Sequence, residues 1–163
     1  MMKKKGFTLI ELIVVIAIIG LLAAVIAPNV FRAIEKGKAA STEADYRSIK
    51  TGALAYFADC SVWPASIAAP TVFHLDDASA CWDGPYIEAW PRLNPWGGTY
   101  GWVNDAAVDF GQGVATARYI SVSNVPQAMA ARMDDDLDDN NAGAGIVQYV
   151  VADPTTVNML ISY

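Results

Sequence analysis

Histidine occurs once in this chain and cysteine twice, and the two cysteines are not close enough to form a CxxC pair. That poverty excludes the usual four-ligand zinc sites. There is no GxxxxGK[ST] loop, no GxGxxG following a strand and no GxSxG elbow, so the common nucleotide-binding and serine-hydrolase signatures are absent. The lone His74 has no neighbouring Ser or Cys motif that would make it part of a triad. Bases are scarce too. Without Lys3, Lys4 and Lys5, eight basic side chains face seventeen acidic ones. Such a body repels nucleic acid, and no run of Lys or Arg outside the first five residues overrides it, so no direct nucleic-acid binding is expected. No internal repeat is visible. No cofactor motif is found, and no catalytic residues are expected.

Apolar residues, by contrast, are abundant and unevenly placed. From Phe7 to Ala27 only Thr8, Glu11 and Gly20 interrupt a strongly apolar or alanine run. About twenty helical residues span roughly 30 Å, the hydrocarbon thickness of a bilayer. Three lysines ahead of the run place that end in the cytoplasm. Ala23 to Ala27 resembles the cleavage region of a secretory signal, but the run is too long for one. Glu11 is the anomaly. A carboxylate at the centre of a bilayer costs about 2.5–3.5 kcal/mol on insertion scales. Glu11 lies instead near the first helical turn, where unpaired N–H groups favour an anion. It reads either as a tolerated interfacial acid or as one awaiting a cation, which a free amine at Phe7 would supply.

The stretch KKKGFTLIELIVVIAIIGLLAAVIAP resembles, over about 26 residues without a gap, the N-terminus of type IV pilins and of the pseudopilins of type II secretion. The resemblance implies a leader of residues 1–6, cut after Gly6 by a prepilin peptidase that also methylates Phe7. It implies that Glu11 neutralises the N-terminal amine of a neighbouring subunit as the helix leaves the membrane for a filament. A buried acid is tolerated when paired, so such a pair can set register between subunits. Pro28 ends the span and removes a helical hydrogen bond; in the family the backbone between about Gly20 and Pro28 loses helicity in assembled filaments. The implied partners are further copies of the chain in a helical homopolymer, the peptidase, an inner-membrane assembly platform and minor pilins. The precursor is expected in the inner membrane with its head in the periplasm, and later in an extracellular pilus or periplasmic pseudopilus.

Beyond Pro28 the pattern stays helical and becomes amphipathic, with Val30, Ile34, Gly37, Ala40, Ala44, Ile49, Ala53 and Tyr56 at mostly three- and four-residue steps. One helix is expected from about Phe7 to Ala58, bent at Pro28. Its segment 7–28 is the membrane or filament-core part and 29–58 the outer part, with a globular head over 59–163. Gly37 and Gly52 weaken it and allow bending or close approach. Residues 59–91 read as loop, with Pro64, Pro70, Pro85 and Pro91. Cys60 and Cys81 read as a disulfide if this part lies outside the cytoplasm, the alternative being two unpaired buried thiols. A bridge would close a loop of about 22 residues, worth roughly 3 kcal/mol in the chain-entropy model. Asn94-Pro95-Trp96-Gly97-Gly98 signals a turn before a strand at Thr99–Val103. It resembles the stretch that introduces the sheet in major pseudopilins. Further strands are expected at Arg118–Val122, Gly145–Val151 and Val157–Tyr163, and a short helix at Val125–Met133. The expected fold is α+β: a long N-terminal helix packed on a small antiparallel sheet in residues 92–163, as in pilins.

Asp134, Asp135, Asp136, Asp138 and Asp139 put five carboxylates in six residues. Oxygen ligands at that density suit calcium, which some pseudopilins bind in a C-terminal loop; a solvated helix end is the other reading. No EF-hand register fits, because its sixth and twelfth places would hold Asp139 and Gly145, or Asn141 and Val147. The five tryptophans (Trp63, Trp82, Trp90, Trp96, Trp102) suit core or subunit packing better than a sugar platform. Two machines fit the whole chain, a type IV pilus and, as the alternative, a type II secretion pseudopilus built from a major pseudopilin. A membrane-tethered periplasmic enzyme or binding protein is the remote third.

Overall fold

The structure is a computed structural model that describes residues 6–64, 66, 81–106, 109–111, 113, 116–138 and 141–162. It divides into two compact units, residues 1–37 and 38–163. Helix α1 spans Leu9–Cys60, with Pro28 inside it, close to the expected limits.

The first unit is the N-terminal part of α1. Its apolar side chains point outward on every side: Phe7, Leu9, Ile13, Ile16, Leu22 and Val25 are all at least half exposed. The stretch is long and apolar enough to cross a membrane, and none of it is buried within the chain. A helix apolar all round belongs in a membrane or a larger core.

The second unit joins the rest of α1 to strands β1 (Tyr100–Ala106) and β2 (Ala117–Val125), helix α2 (Gln127–Leu137), and strands β3 (Val147–Tyr149) and β4 (Thr155–Ser162). The sheet is antiparallel in the order β1-β2-β4-β3. Alternation sends Ile120, Val122, Val157, Met159 and Ile161 to the core shared with Tyr46, Ile49 and Ala53 of α1. Neighbouring Tyr119 and Leu160 take the other face, where they pack with Phe110 and Ala117. Trp90 and Trp102 are core residues, with Trp63 and Trp96 packed against them. Two phenols pin α1 to the sheet. Tyr46 Oη donates to the carbonyl of Leu160, and Tyr100 Oη donates to Asp45 at 2.7 Å.

The buried face of α1 differs from the one the sequence suggested. Ala39, Thr42, Glu43, Tyr46, Ile49, Gly52, Ala53 and Tyr56 are buried, whereas Val30, Ile34, Gly37, Ala40 and Ala44 are exposed. Only the distal three expected positions are right. Small residues recur on both faces, so the periodicity of Ala and Gly does not orient the helix; the bulk of Tyr46 and Tyr56 does. Gly52 sits where the backbone of Tyr86 crosses, and an added Cβ would lie 2.6 Å from Ile87 and 3.2 Å from the Tyr86 carbonyl oxygen. The loop-to-helix contact therefore depends on the missing side chain.

Candidate functional site

At the start of α1, Thr8 and Glu11 hold one another. Glu11 Oε2 accepts from the Thr8 backbone N–H at 2.8 Å and from Thr8 Oγ1 at 2.7 Å, while Thr8 Oγ1 accepts the Glu11 N–H at 3.3 Å. This is a capping box: the first residue and the one three later satisfy each other's orphan donors. The signal was legible as T-x-x-E and supplies what Glu11 alone lacked, a role in the isolated subunit. Both Thr8 bonds converge on Oε2. Phe7, Ile10, Val14 and Val15 line a shallow, open apolar surface beside the exposed Glu11. Phe7 is 79% exposed, and Gly6 stands in open space, so none of the described residues shields the bond between them. Leader residues 1–5 lie outside the described residues, as does His74.

At the far end of α1 the two cysteines form a disulfide, with Cα atoms 5.0 Å apart. It fastens the end of the helix to the segment from Cys81 onward. Asn94 organises the predicted turn. Its Oδ1 accepts from the N–H groups of Trp96 and Gly98 at 2.9 and 3.0 Å, and its Nδ2 donates to the Ser123 carbonyl at 2.6 Å. One buried amide thus shapes the turn and ties it to β2.

The described residues of the acidic run do not gather into a cage. Helix α2 runs further than expected, through Leu137, so its carboxylates fan around a helical turn instead of lining a loop. Asp134 is fully buried, and Asp136 pairs with Arg132 at 3.1 Å. Asp138 caps the helix end and accepts hydrogen bonds from the backbone N–H groups of Ile146 and, at 3.3 Å, Val147. Gly145 makes this possible, with φ +94° and no room for a Cβ beside the Asp138 carboxylate. Among the described residues no group of three or more potential metal ligands converges. Asp139 lies outside the described residues. Facing α2 from α1 is Glu43, 7% exposed. Its Oε2 reaches Arg47 at 3.5 Å, and its Oε1 has no hydrogen-bond partner. Burial pushes its carboxyl above the ordinary range and Asp136 adds to this, while Arg47 and Arg132 oppose it.

Residues 1–27 match the prokaryotic N-terminal methylation motif, and residues 33–114 match the family model described as PilW, C-terminal. The chain is 32% identical over 107 residues to the type II secretion system core protein G of Vibrio cholerae, covering 61% of this chain and 70% of that protein. It is 35% identical over 86 residues to the fimbrial protein EcpC of Eikenella corrodens, covering 53% and 52%. The major type IV pilin PilA1 from Clostridium difficile has the same fold, with a TM-score of 0.54 at 20% identity over 80% of this chain and 98% of that one. Long helix, four-stranded head and N-terminal motif agree: the chain belongs to the type IV pilin and pseudopilin superfamily.

Proposed function

We propose that the protein is a structural subunit of a type IV pilus-like filament, made as an inner-membrane precursor with its head in the periplasm. The observation that carries this is the unburied apolar helix beginning at the Thr8–Glu11 box. Prepilin peptidase cuts after Gly6 and methylates Phe7. The subunit then leaves the membrane by burying α1 against its copies. The new amine at Phe7 meets Glu11 of a neighbour through Oε1, the oxygen that Thr8 does not use. A charge pair in an apolar surround tolerates little misplacement, so the pair sets register. The exposed small residues Ala33, Gly37, Ala40 and Ala44 support close packing between helices. Pro28 supplies the place where the backbone yields on assembly. The assembly platform and minor pilins receive the subunit, and the role is structural, not catalytic.

A second reading within the same family, the major pseudopilin of a type II secretion system, is favoured by the match to core protein G and by the Asn94-organised turn. Mass spectrometry of the N-terminal peptide from sheared filaments tests the main reading. A chain starting at Phe7 with one added methyl supports it; an uncut chain confined to membranes, in cells with active peptidase, overturns it. Deleting the gene separates the machines, through loss of surface filaments or through retention of exported enzymes in the periplasm.

A further inference from the structure

From residue 51 onward the chain has three basic side chains, Arg92, Arg118 and Arg132, against thirteen acidic ones. Arg132 pairs with Asp136. Arg118, with carboxylates in such excess, has no carboxylate partner among the described residues. It is built into an aromatic stack instead. Its Nε donates to Asn104 Oδ1 at 3.2 Å, and its guanidinium lies over the Trp63 ring, 5.5 Å from the centroid. Asn104 is fixed in turn. Its Nδ2 donates at 2.9 Å to the Pro64 carbonyl, which also accepts from Trp102 Nε1 at 3.1 Å. Trp63 stacks on Phe57, with centroids 4.5 Å apart and planes 19° from parallel. Phe57 is exposed at the end of α1, while Trp63, Asn104 and Arg118 are half-buried. Phe57, Trp63 and Arg118 thus form one solvent-accessible stack with an apolar ring at one place and a cation at another.

A guanidinium pairs with a carboxylate through two parallel N–H···O bonds, and the bond from Nε to Asn104 leaves both Nη groups for that pairing. Holding the group in place before a ligand arrives lowers the ordering cost of binding. Charge complementarity therefore names an anion, and the exposed Phe57 names an apolar neighbour for it. Trp and Arg are also the side chains that most often carry binding energy at protein interfaces. We propose that Phe57, Trp63 and Arg118 form a docking site for an extended acidic peptide of a partner protein. An aromatic or large aliphatic side chain of that peptide lies against Phe57, and an Asp or Glu two residues away pairs with Arg118. In an extended peptide, side chains two positions apart point the same way at a separation of about 7 Å, a step comparable to the spacings within the stack. Trp63 separates the exposed ring from the cation, which suits two side chains of one peptide better than the ring and carboxylate of one sugar acid. All these residues belong to the second unit, so the inference does not depend on the filament reading.

The test uses the full chain in phosphatidylcholine nanodiscs and a displayed library of random heptapeptides. Selection on the wild type, with counter-selection on the Arg118→Gln chain, should enrich an aromatic or large aliphatic residue followed two positions later by Asp or Glu. A synthetic peptide of that pattern, read by fluorescence polarisation, should lose at least about tenfold in affinity when its acid is replaced by the amide. Arg118→Gln should cost about as much, with little further loss when the two changes are combined. Arg118→Lys keeps the charge without the fork and should fall between. Phe57→Ala, at an exposed position, should weaken the peptide and its amide counterpart alike. Unchanged protease resistance reports intact folding; if Arg118→Gln loses it, Arg118→Lys and the acid-to-amide peptide decide the matter. Selected peptides with no common pattern, or peptides that bind Arg118→Gln as tightly as the wild type, overturn the site. Binding of a polyuronate oligosaccharide through Arg118, with no peptide selected, also overturns it, in favour of an acidic glycan.

Discussion

The two ends of one helix make opposite use of the same chemistry. Around Ile13 and Leu22 apolar side chains face outward on all sides, while around Ile49 and Ala53 they vanish beneath a sheet. Both stretches are helical, and neither propensity nor length separates them. The difference is whether the chain supplies a partner. From Lys38 onward it does, with four strands and a short helix folded onto one face. Before that none of the described residues covers it, and a helix apolar all round belongs in a membrane or a larger core. Glu11 and Glu43 sharpen the contrast. Each is an acid on α1. Glu11 is held by Thr8 in the open, whereas Glu43 is buried and under-solvated.

Breaking the first region should abolish assembly and spare the fold. Glu11→Ala is expected to eliminate sheared filaments, with subunit level and head protease resistance unchanged; filaments at wild-type abundance would refute the role. Breaking the second should do the reverse, by lowering stability. Replacing both cysteines by serine should cost roughly 3 kcal/mol, read as a lower denaturant midpoint of the detergent-solubilised chain. Tyr46→Phe strands the Leu160 carbonyl and should cost about 1–3 kcal/mol. It should also alter the alkaline limb. Burial pushes Tyr46 up to about 12, so the folded state holds its proton where the unfolded chain, near 10, has lost it. Stability therefore falls as pH rises from about 10 to 12, and Tyr46→Phe should flatten that fall.

The smallest effect should be a gain. The raised Glu43 carboxyl binds protons more tightly in the folded state than in the unfolded one. Its contribution is present below the unfolded value of 4.5 and is lost as pH rises through the folded value. Glu43→Gln should therefore raise the melting temperature at pH 7 slightly and remove that dependence. If the variant melts lower at pH 7 than the wild type, Arg47 and Arg132 outweigh burial.

Much of this arrangement was legible in the sequence. The strands announced themselves by alternation and by turns: β1, β2 and β4 lie within a few residues of their expected places, and only β3 is shorter. The disulfide, expected of two isolated cysteines if that part lies outside the cytoplasm, is formed. Side-chain direction was harder to read. Ala40 and Ala44 looked like a core stripe because small residues satisfy an apolar pattern without revealing which face carries bulk. Proximity in sequence says nothing of where Asp134, Asp135 and Asp136 point once α2 extends through them. Asp138 closes a backbone turn, a role decided by Ile146 and Gly145 eight and seven residues away. The Thr8–Glu11 box was readable as T-x-x-E ahead of the apolar run.

The strand order has a consequence for biogenesis. β4 pairs with both β2 and β3, so the strand synthesised last of the four is an interior one. Until residues 155–162 are in place, β2 has a vacant edge and β3 has no sheet to join. Until then Tyr46 has no Leu160 carbonyl to bond. The head therefore cannot close progressively along the chain: it waits on β4, and before that strand arrives the unpaired edge of β2 is open to pairing with other chains.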